Sequence, residues 1–175
     1  LVGEGDVRGV GRAVAAVVGS PLTSLISLPP DPITSPAGLN GKTIATAGIP
    51  YQSDYLETIL ATAGLEPSAV KEENVGLNLL PALIGGKADA ILGGFRNIEG
   101  VDLSLRGLNP TVIPVDQLGV PTYDELVLVA KRSTVEDDPD NLRLFIAALA
   151  HGTRDAIEDP QLATDAIVKA GQGLD

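Results

Sequence analysis

The sequence predicts an α/β protein built on a doubly wound, parallel sheet, and three observations carry that prediction. Short apolar runs alternate with helical stripes between about residues 42 and 115. Glycines close the helical stripes, at Gly64 and at Gly85-Gly86. Two extended connectors, one leaving toward this block and one returning from it, bracket the βαβαβ pattern, as expected for one lobe inserted into another.

The elements follow in chain order. Ala13–Val18 and Leu22–Leu28 are apolar runs with the character of buried strands, separated by Gly19-Ser20-Pro21. The proline-rich stretch from Pro29 to Pro36 has no period and reads as a linker. Asn40-Gly41 marks a turn into a strand at Thr43–Ala47. A loop, Gly48–Ser53, then opens a helix whose stripe is Tyr55, Leu56, Ile59, Leu60 and Ala63, with Ser53 or Asp54 as its cap.

A second strand is expected at Val70–Val75 and a second helix on Leu79, Leu80, Leu83 and Ile84. Asp89–Phe95 is a third strand; its run Ala-Ile-Leu-Gly-Gly lacks polar alternation, so both of its faces should be covered. A short helix or loop at Gly100–Arg106 precedes a strand at Thr111–Val115. Beyond Gln117 a polar connector, Gly119–Glu125, leads to an apolar strand at Leu126–Ala130. Asp137, Asp138 and Asp140 form an acidic helix start, favoured by the helix dipole. The amphipathic helix Asn141–Ile157 should turn Leu142, Phe145, Ile146, Leu149 and Ala150 inward, and Pro160 starts a last helix through about Lys169. The expected division is therefore residues 1–30 as part of lobe one, 31–118 as lobe two, and 119–175 as the return hinge and lobe-one helices.

Composition excludes several functions. A chain of 175 residues can bury a sizeable core, and only 3% of it is aromatic, so that core must be aliphatic. A net charge of −11 leaves no basic face for nucleic acid or anionic lipid. With no cysteine, disulfides, thiolate metal sites and cysteine nucleophiles are all absent. No run approaches the roughly 18 consecutive apolar residues of a spanning helix. The chain opens Leu1-Val2-Gly3-Glu4 with no methionine or signal peptide, as expected for a processed piece.

Catalytic patterns are weak. The single histidine, His151, falls mid-helix, and no Gly-x-Ser-x-Gly elbow occurs. Gly85-Gly86-Lys87 lacks the remaining residues of a P-loop, and the glycines at 3, 5, 9 and 11 do not fit a dinucleotide fingerprint. The acidic cluster at 137–140 lacks the glycine and glutamate of an EF-hand loop. No metal or cofactor is expected.

What remains is a binding constellation. In a doubly wound sheet, ligands sit beyond the carboxyl ends of the strands, which places the loops at 48–53 and 94–99 on one rim. Within Phe95-Arg96-Asn97-Ile98-Glu99, Asn97 and Glu99 can read the donor and acceptor edges of a nitrogen heterocycle. Tyr51 and Tyr123 lie in connectors, where a tyrosine can stack on a flat ring. The alternative is that Asn97 caps the next helix and Glu99 is solvated.

Four segments resemble the NMT1/THI5-like, SsuA-related group of periplasmic binding proteins, closest to the branch that binds thiamine pyrimidine precursors. They are Ser35-Pro36-Ala37-Gly38-Leu39-Asn40-Gly41-Lys42-Thr43-Ile44, Pro81–Ala90, Gly94-Phe95-Arg96-Asn97-Ile98-Glu99, and Gly119-Val120-Pro121-Thr122-Tyr123-Asp124-Glu125-Leu126. The first is common to SsuA-like proteins, whereas the last two together are more specific, though a branch for riboflavin precursors could share them. The resemblance implies a periplasmic-binding-protein type II fold, two lobes closing on a ligand by hinge motion, with the first part of lobe one and a C-terminal remainder outside this chain.

It also implies the substrate-binding component of an ABC importer, working with a membrane permease outside the cytoplasm, with a lipid anchor as one option. Carried over to this sequence, Asn97 and Glu99 would line the second-lobe wall, and Arg96, in the same segment, is a further candidate ligand-binding residue. Tyr123 and Glu125 would lie at the return hinge, and the loop bearing Tyr51, Gln52 and Ser53 would close over the ligand. Ile49-Pro50-Tyr51 replaces the glycine-rich stretch of phosphate-recognising relatives, which suits a neutral or weakly basic ring. Other readings are a riboflavin precursor or alkanesulfonate ligand, a sensor lobe, or a THI5-like pyrimidine-synthesis enzyme. The enzymes of that kind use a lysine, a histidine and a cysteine-rich motif, and this chain has no cysteine.

Overall fold

The computed structural model describes residues 11–171. The chain divides into two compact units, Val17–Leu126 and the pair of segments Leu1–Ala16 with Val127–Asp175.

The central unit is a five-stranded sheet flanked on both faces. Its strands are β2 (Thr23–Ser27), β3 (Thr43–Thr46), β4 (Lys71–Asn74), β5 (Ala90–Phe95) and β6 (Thr111–Pro114), in the order β4-β3-β5-β2-β6. Helices α1 (Pro50–Thr62), α2 (Leu79–Ile84) and α3 (Glu99–Leu105) cross between them. Along each inner strand adjacent residues face opposite sides, and the core divides accordingly. Leu25, Ile44 and Leu92 pack with Leu56, Ile59 and Leu60 of α1. Their neighbours Ile26, Ala45 and Ile91 pack with Leu79 and Leu83 of α2 and Leu103 of α3. That two-sided burial is why β5 shows no polar alternation.

The sheet is not wholly parallel. β3 runs parallel to β4 and β5, but β2 pairs antiparallel with both β5 and β6. The reason lies in connectivity: β2 arrives from the first chain crossing rather than from a βαβ step, so the right-handed crossover rule does not set its direction. The sheet also takes in Thr23–Ser27, so this unit begins upstream of the boundary expected at residue 30. Its polar residues are satisfied: Ser24 Oγ donates to the Leu22 carbonyl, and Ser27 Oγ accepts from the Ile33 N–H. At the opposite edge, β4 reads Lys-Glu-Glu-Asn, a charged edge that discourages further strand pairing.

The helix start at α1 also differs from expectation. Pro50 occupies its first turn, and the cap is neither Ser53 nor Asp54. Gln52 Oε1 instead accepts from the backbone N–H groups of Ala47 and Ile49, at 2.8 and 3.4 Å. Ser53 lies inside the helix and donates through Oγ to Glu72 Oε1.

β1 (Gly11–Val18) pairs with β7 (Leu126–Lys131), both mostly within the second unit, and α4 (Arg132–Asp137), α5 (Pro139–Glu158) and α6 (Pro160–Ala170) follow. Neither β1 nor the apolar stripe of α5 is buried. Four of the eight β1 residues are exposed, and Phe145, expected inward, is 57% exposed. Both follow the predicted secondary structure, and on α5 only Leu142 and Ile146 of the expected inward stripe are half-buried, while Phe145, Leu149 and Ala150 stay exposed. No described helix is long and apolar enough to cross a membrane.

Candidate functional site

The carboxyl ends of β3 and β5 open onto a cavity of about 430 Å³. Ala47 follows β3 there, Gly93 and Phe95 end β5, Tyr51 and Gln52 come from the first turn of α1, and Glu99 opens α3. Its rim is apolar: Ile49, Leu77 and Ile98 are large exposed hydrophobics, with Leu77 96% exposed. A polar floor inside an apolar mouth suits a small, flat, largely apolar molecule carrying a few polar edges.

Each polar group has a fixed origin. Glu99 sits one turn beyond the end of β5, and its Oε2 accepts from the Phe95 N–H at 2.6 Å. That bond ties the start of α3 back to the strand and leaves Oε1 without a donor among the described residues. Gln52 is 1% exposed, although it belongs to the first turn of a surface helix. Its amide lies over Gly93, whose φ of +107° lies outside the range L residues favour. A Cβ on Gly93 would come within 2.0 Å of Gln52 Nε2.

The cavity therefore brings together Tyr51, Gln52 and Glu99 of the residues singled out from sequence. Arg96 and Asn97 line a neighbouring groove of about 550 Å³ with Leu22, Val101, Val112 and Pro114. Arg96 Nη2 donates to Ser20 Oγ there. Ser53 is held by Glu72, away from the cavity lining. Sequence reasoning missed Gly93 as part of this site. The Gly-Gly pair at the end of an apolar strand was the available signal, since glycine inside a strand often marks close approach of another group.

Tyr123 and Glu125 lie elsewhere in the same unit. Glu125 Oε2 accepts from the N–H groups of Leu22 and Thr23, from Thr23 Oγ1 and from the Tyr123 hydroxyl, at 2.9–3.1 Å. Burial alone would raise the Glu125 pKa, but these four donors outweigh it and hold the carboxyl below the usual carboxylate range. Burial pushes the Tyr123 phenol up, with its bond to Glu125 adding to the effect. All three tyrosines of the chain form one series: Tyr51 meets Tyr55 edge-on at 5.2 Å, and Tyr55 meets Tyr123 at 5.9 Å. Tyr51 sits in α1 rather than in a connector, so the series links the cavity to the return crossing.

Comparison with known proteins gives this geometry a context. A formylaminopyrimidine-binding protein of Halalkalibacterium halodurans is 35% identical over 157 residues, covering 89% of this chain and 47% of that protein. A 4-amino-5-hydroxymethyl-2-methylpyrimidine phosphate synthase of Schizosaccharomyces pombe is 24% identical over 155 residues, covering 83% of this chain and 44% of that protein. The chain thus spans about half the length of the curated relatives it matches. Among solved structures, the periplasmic sulfonate-binding protein SsuA of Methylobacillus flagellatus aligns with a TM-score of 0.60 at 20% identity, over 91% of this chain and 47% of that one. The fold is accordingly that of the type II periplasmic binding proteins. Residues 12–163 match the family described as NMT1/THI5 like, and the chain belongs to that family.

Proposed function

We propose that this chain supplies one wall of the ligand cleft in the substrate-binding component of an ABC importer. The ligand would be a small heteroaromatic thiamine pyrimidine precursor, the partner a membrane permease, and the location extracytoplasmic. The observation that carries this reading is the cavity beyond β3 and β5, which Gln52 and Glu99 both line beneath an apolar rim. A ring with an amino edge matches that floor, because a free carboxylate oxygen accepts from an amino group and Tyr51 offers a face to stack on. The name of the 35% identical relative, a formylaminopyrimidine-binding protein, supports the same ligand class. In this proposal residues 17–126 correspond to one lobe with its two crossings, and the β1–β7 pair with α4–α6 to part of the other. Arg96 and Asn97 would meet only a ligand that extends past Ile98 into the neighbouring groove.

The synthase relative raises catalysis as a second reading, and the side chains present argue against it. His151 lies on α5, largely exposed, with Nδ1 3.6 Å from the Asp155 carboxylate, so its partner is a surface acid one turn away rather than a substrate site. Calorimetric titration of the full-length protein with a formylaminopyrimidine, riboflavin and an alkanesulfonate tests the proposal. Saturable heat with the pyrimidine alone is expected; binding of the sulfonate but not the pyrimidine would overturn it.

A further inference from the structure

We infer that Gln52 is a specificity-determining residue of the cavity, presenting only a hydrogen-bond donor and so requiring an acceptor atom on the ligand opposite its amide nitrogen. This inference rests on the proposed binding of a small ring in that cavity.

An amide side chain ordinarily offers either edge, and a ligand can choose between them by rotation. Gln52 has lost that freedom. Two backbone donors, the N–H groups of Ala47 and Ile49, converge on Oε1, and neither could be met by the NH2 group. Flipping the amide would set a donor against two donors in a buried site, so the oxygen must face the turn. The nitrogen then points the other way, over Gly93, where the missing Cβ makes room for it.

Nε2 donates to no acceptor among the described residues. Yet no buried polar side-chain atom there lacks a partner, so Nε2 is open to the cavity that Gln52 lines rather than sealed beneath it. A buried glutamine with one end locked and the other end free toward a cavity is poised to be completed by a ligand. Glu99 gives the opposite polarity, since the Oε1 of a carboxylate offers only an acceptor. The two together select a molecule carrying an acceptor, such as a ring nitrogen or a formyl oxygen, and a donor, such as an amino group. A ligand with acceptors on both edges, such as a sulfonate, would set its oxygens against the Glu99 carboxylate.

The test uses the full-length protein and a formylaminopyrimidine as probe. Gln52→Glu keeps an oxygen for Ala47 and Ile49 but turns the free donor into an acceptor, and should weaken binding about tenfold or more. Gln52→Glu that remains folded and binds as tightly as the parent would overturn the inference. Should that variant not fold, the 15N-resolved side-chain amide of Gln52 in the unaltered protein decides the matter. Its protons should shift and gain exchange protection on saturation, and an unmoved signal in a saturated sample overturns the assignment. No binding of the pyrimidine by the parent protein would remove the functional reading and this inference with it, whereas binding with an unmoved Gln52 signal removes only the inference.

Discussion

Thr23 donates both its backbone N–H and its hydroxyl to a single oxygen of Glu125, 102 residues further along the chain. The same oxygen takes the Leu22 N–H and the Tyr123 hydroxyl, so one carboxylate fastens the outgoing chain crossing to the returning one. Two backbone donors at the start of β2 have no sheet partner for this purpose; the carboxylate takes that place. Glu125→Ala should therefore leave partly buried amides unpartnered and destabilise the Val17–Leu126 unit by about 3 kcal/mol. Glu125→Gln, which can still accept, should lose about 1 kcal/mol. Urea denaturation reads both, and a loss below about 0.5 kcal/mol for the alanine variant would show that the crossings hold without the clasp.

The depressed Glu125 pKa makes this contribution pH-dependent in a set direction. A carboxyl whose folded pKa lies below its unfolded value of about 4.3 stabilises fully above that value, and the gain disappears as pH falls through the folded pKa. The stability gap between the parent and Glu125→Gln should thus be constant from neutral pH down to about 4.3 and narrow below it. A gap that widens in acid would contradict the clasp.

Tyr123 titrates in the opposite sense. Burial, with the neighbouring Glu125 carboxylate, keeps its phenol protonated beyond the usual value of about 10. Phenolate absorbance followed through an alkaline titration should show a component that lags free tyrosine, and Tyr123→Phe should remove it. The phenol stabilises the fold below about pH 10, and that contribution fades as pH rises through its higher folded pKa.

Two glycines separate backbone strain from crowding. Gly41 has φ +76° and open space around its missing Cβ, so Gly41→Ala should cost only the strain of the conformation, about 1 kcal/mol. Gly93 has a similar sign of φ, but its Cβ would meet Gln52 Nε2 at 2.0 Å. Gly93→Ala should cost more, about 3 kcal/mol, and should also displace the Gln52 amide from the cavity floor. Equal losses in the two variants, measured by thermal melting, would mean that the amide moves aside freely.

Much of this arrangement could be read from residue order. The apolar runs located β2, β3, β5 and β7, and the stripe Leu56, Ile59, Leu60 located the buried face of α1. The direction of β2 could not be read, because an apolar strand looks the same whichever way it pairs. The cap of α1 was misplaced because Gln52 resembles an ordinary helix residue until the N–H groups of Ala47 and Ile49 are seen to converge on it. Glu99 was legible from its place beyond a strand end. Arg96 and Asn97 looked equivalent to it in sequence, but the turn before α3 directs them into the neighbouring groove. Contacts across 102 residues, such as Thr23 to Glu125, leave no local pattern at all.

The sharpest test of the cavity is Glu99→Gln. Its carboxylate uses Oε2 to hold the Phe95 N–H, a bond that the glutamine oxygen can retain, so α3 should keep its position. The exchange alters the other end, replacing a free acceptor with a donor, and lowers the charge that a partly protonated aminopyrimidine edge would meet. Affinity for a formylaminopyrimidine should fall about tenfold or more, a loss of about 1.4 kcal/mol or above, while the unfolding free energy stays within about 1 kcal/mol of the parent. Calorimetry of the two proteins side by side measures both. Unchanged affinity in a folded variant would remove Glu99 from ligand recognition and shift attention to the groove that holds Arg96 and Asn97, whereas a joint loss of affinity and stability would mean that the carboxylate acts mainly through the Phe95 backbone.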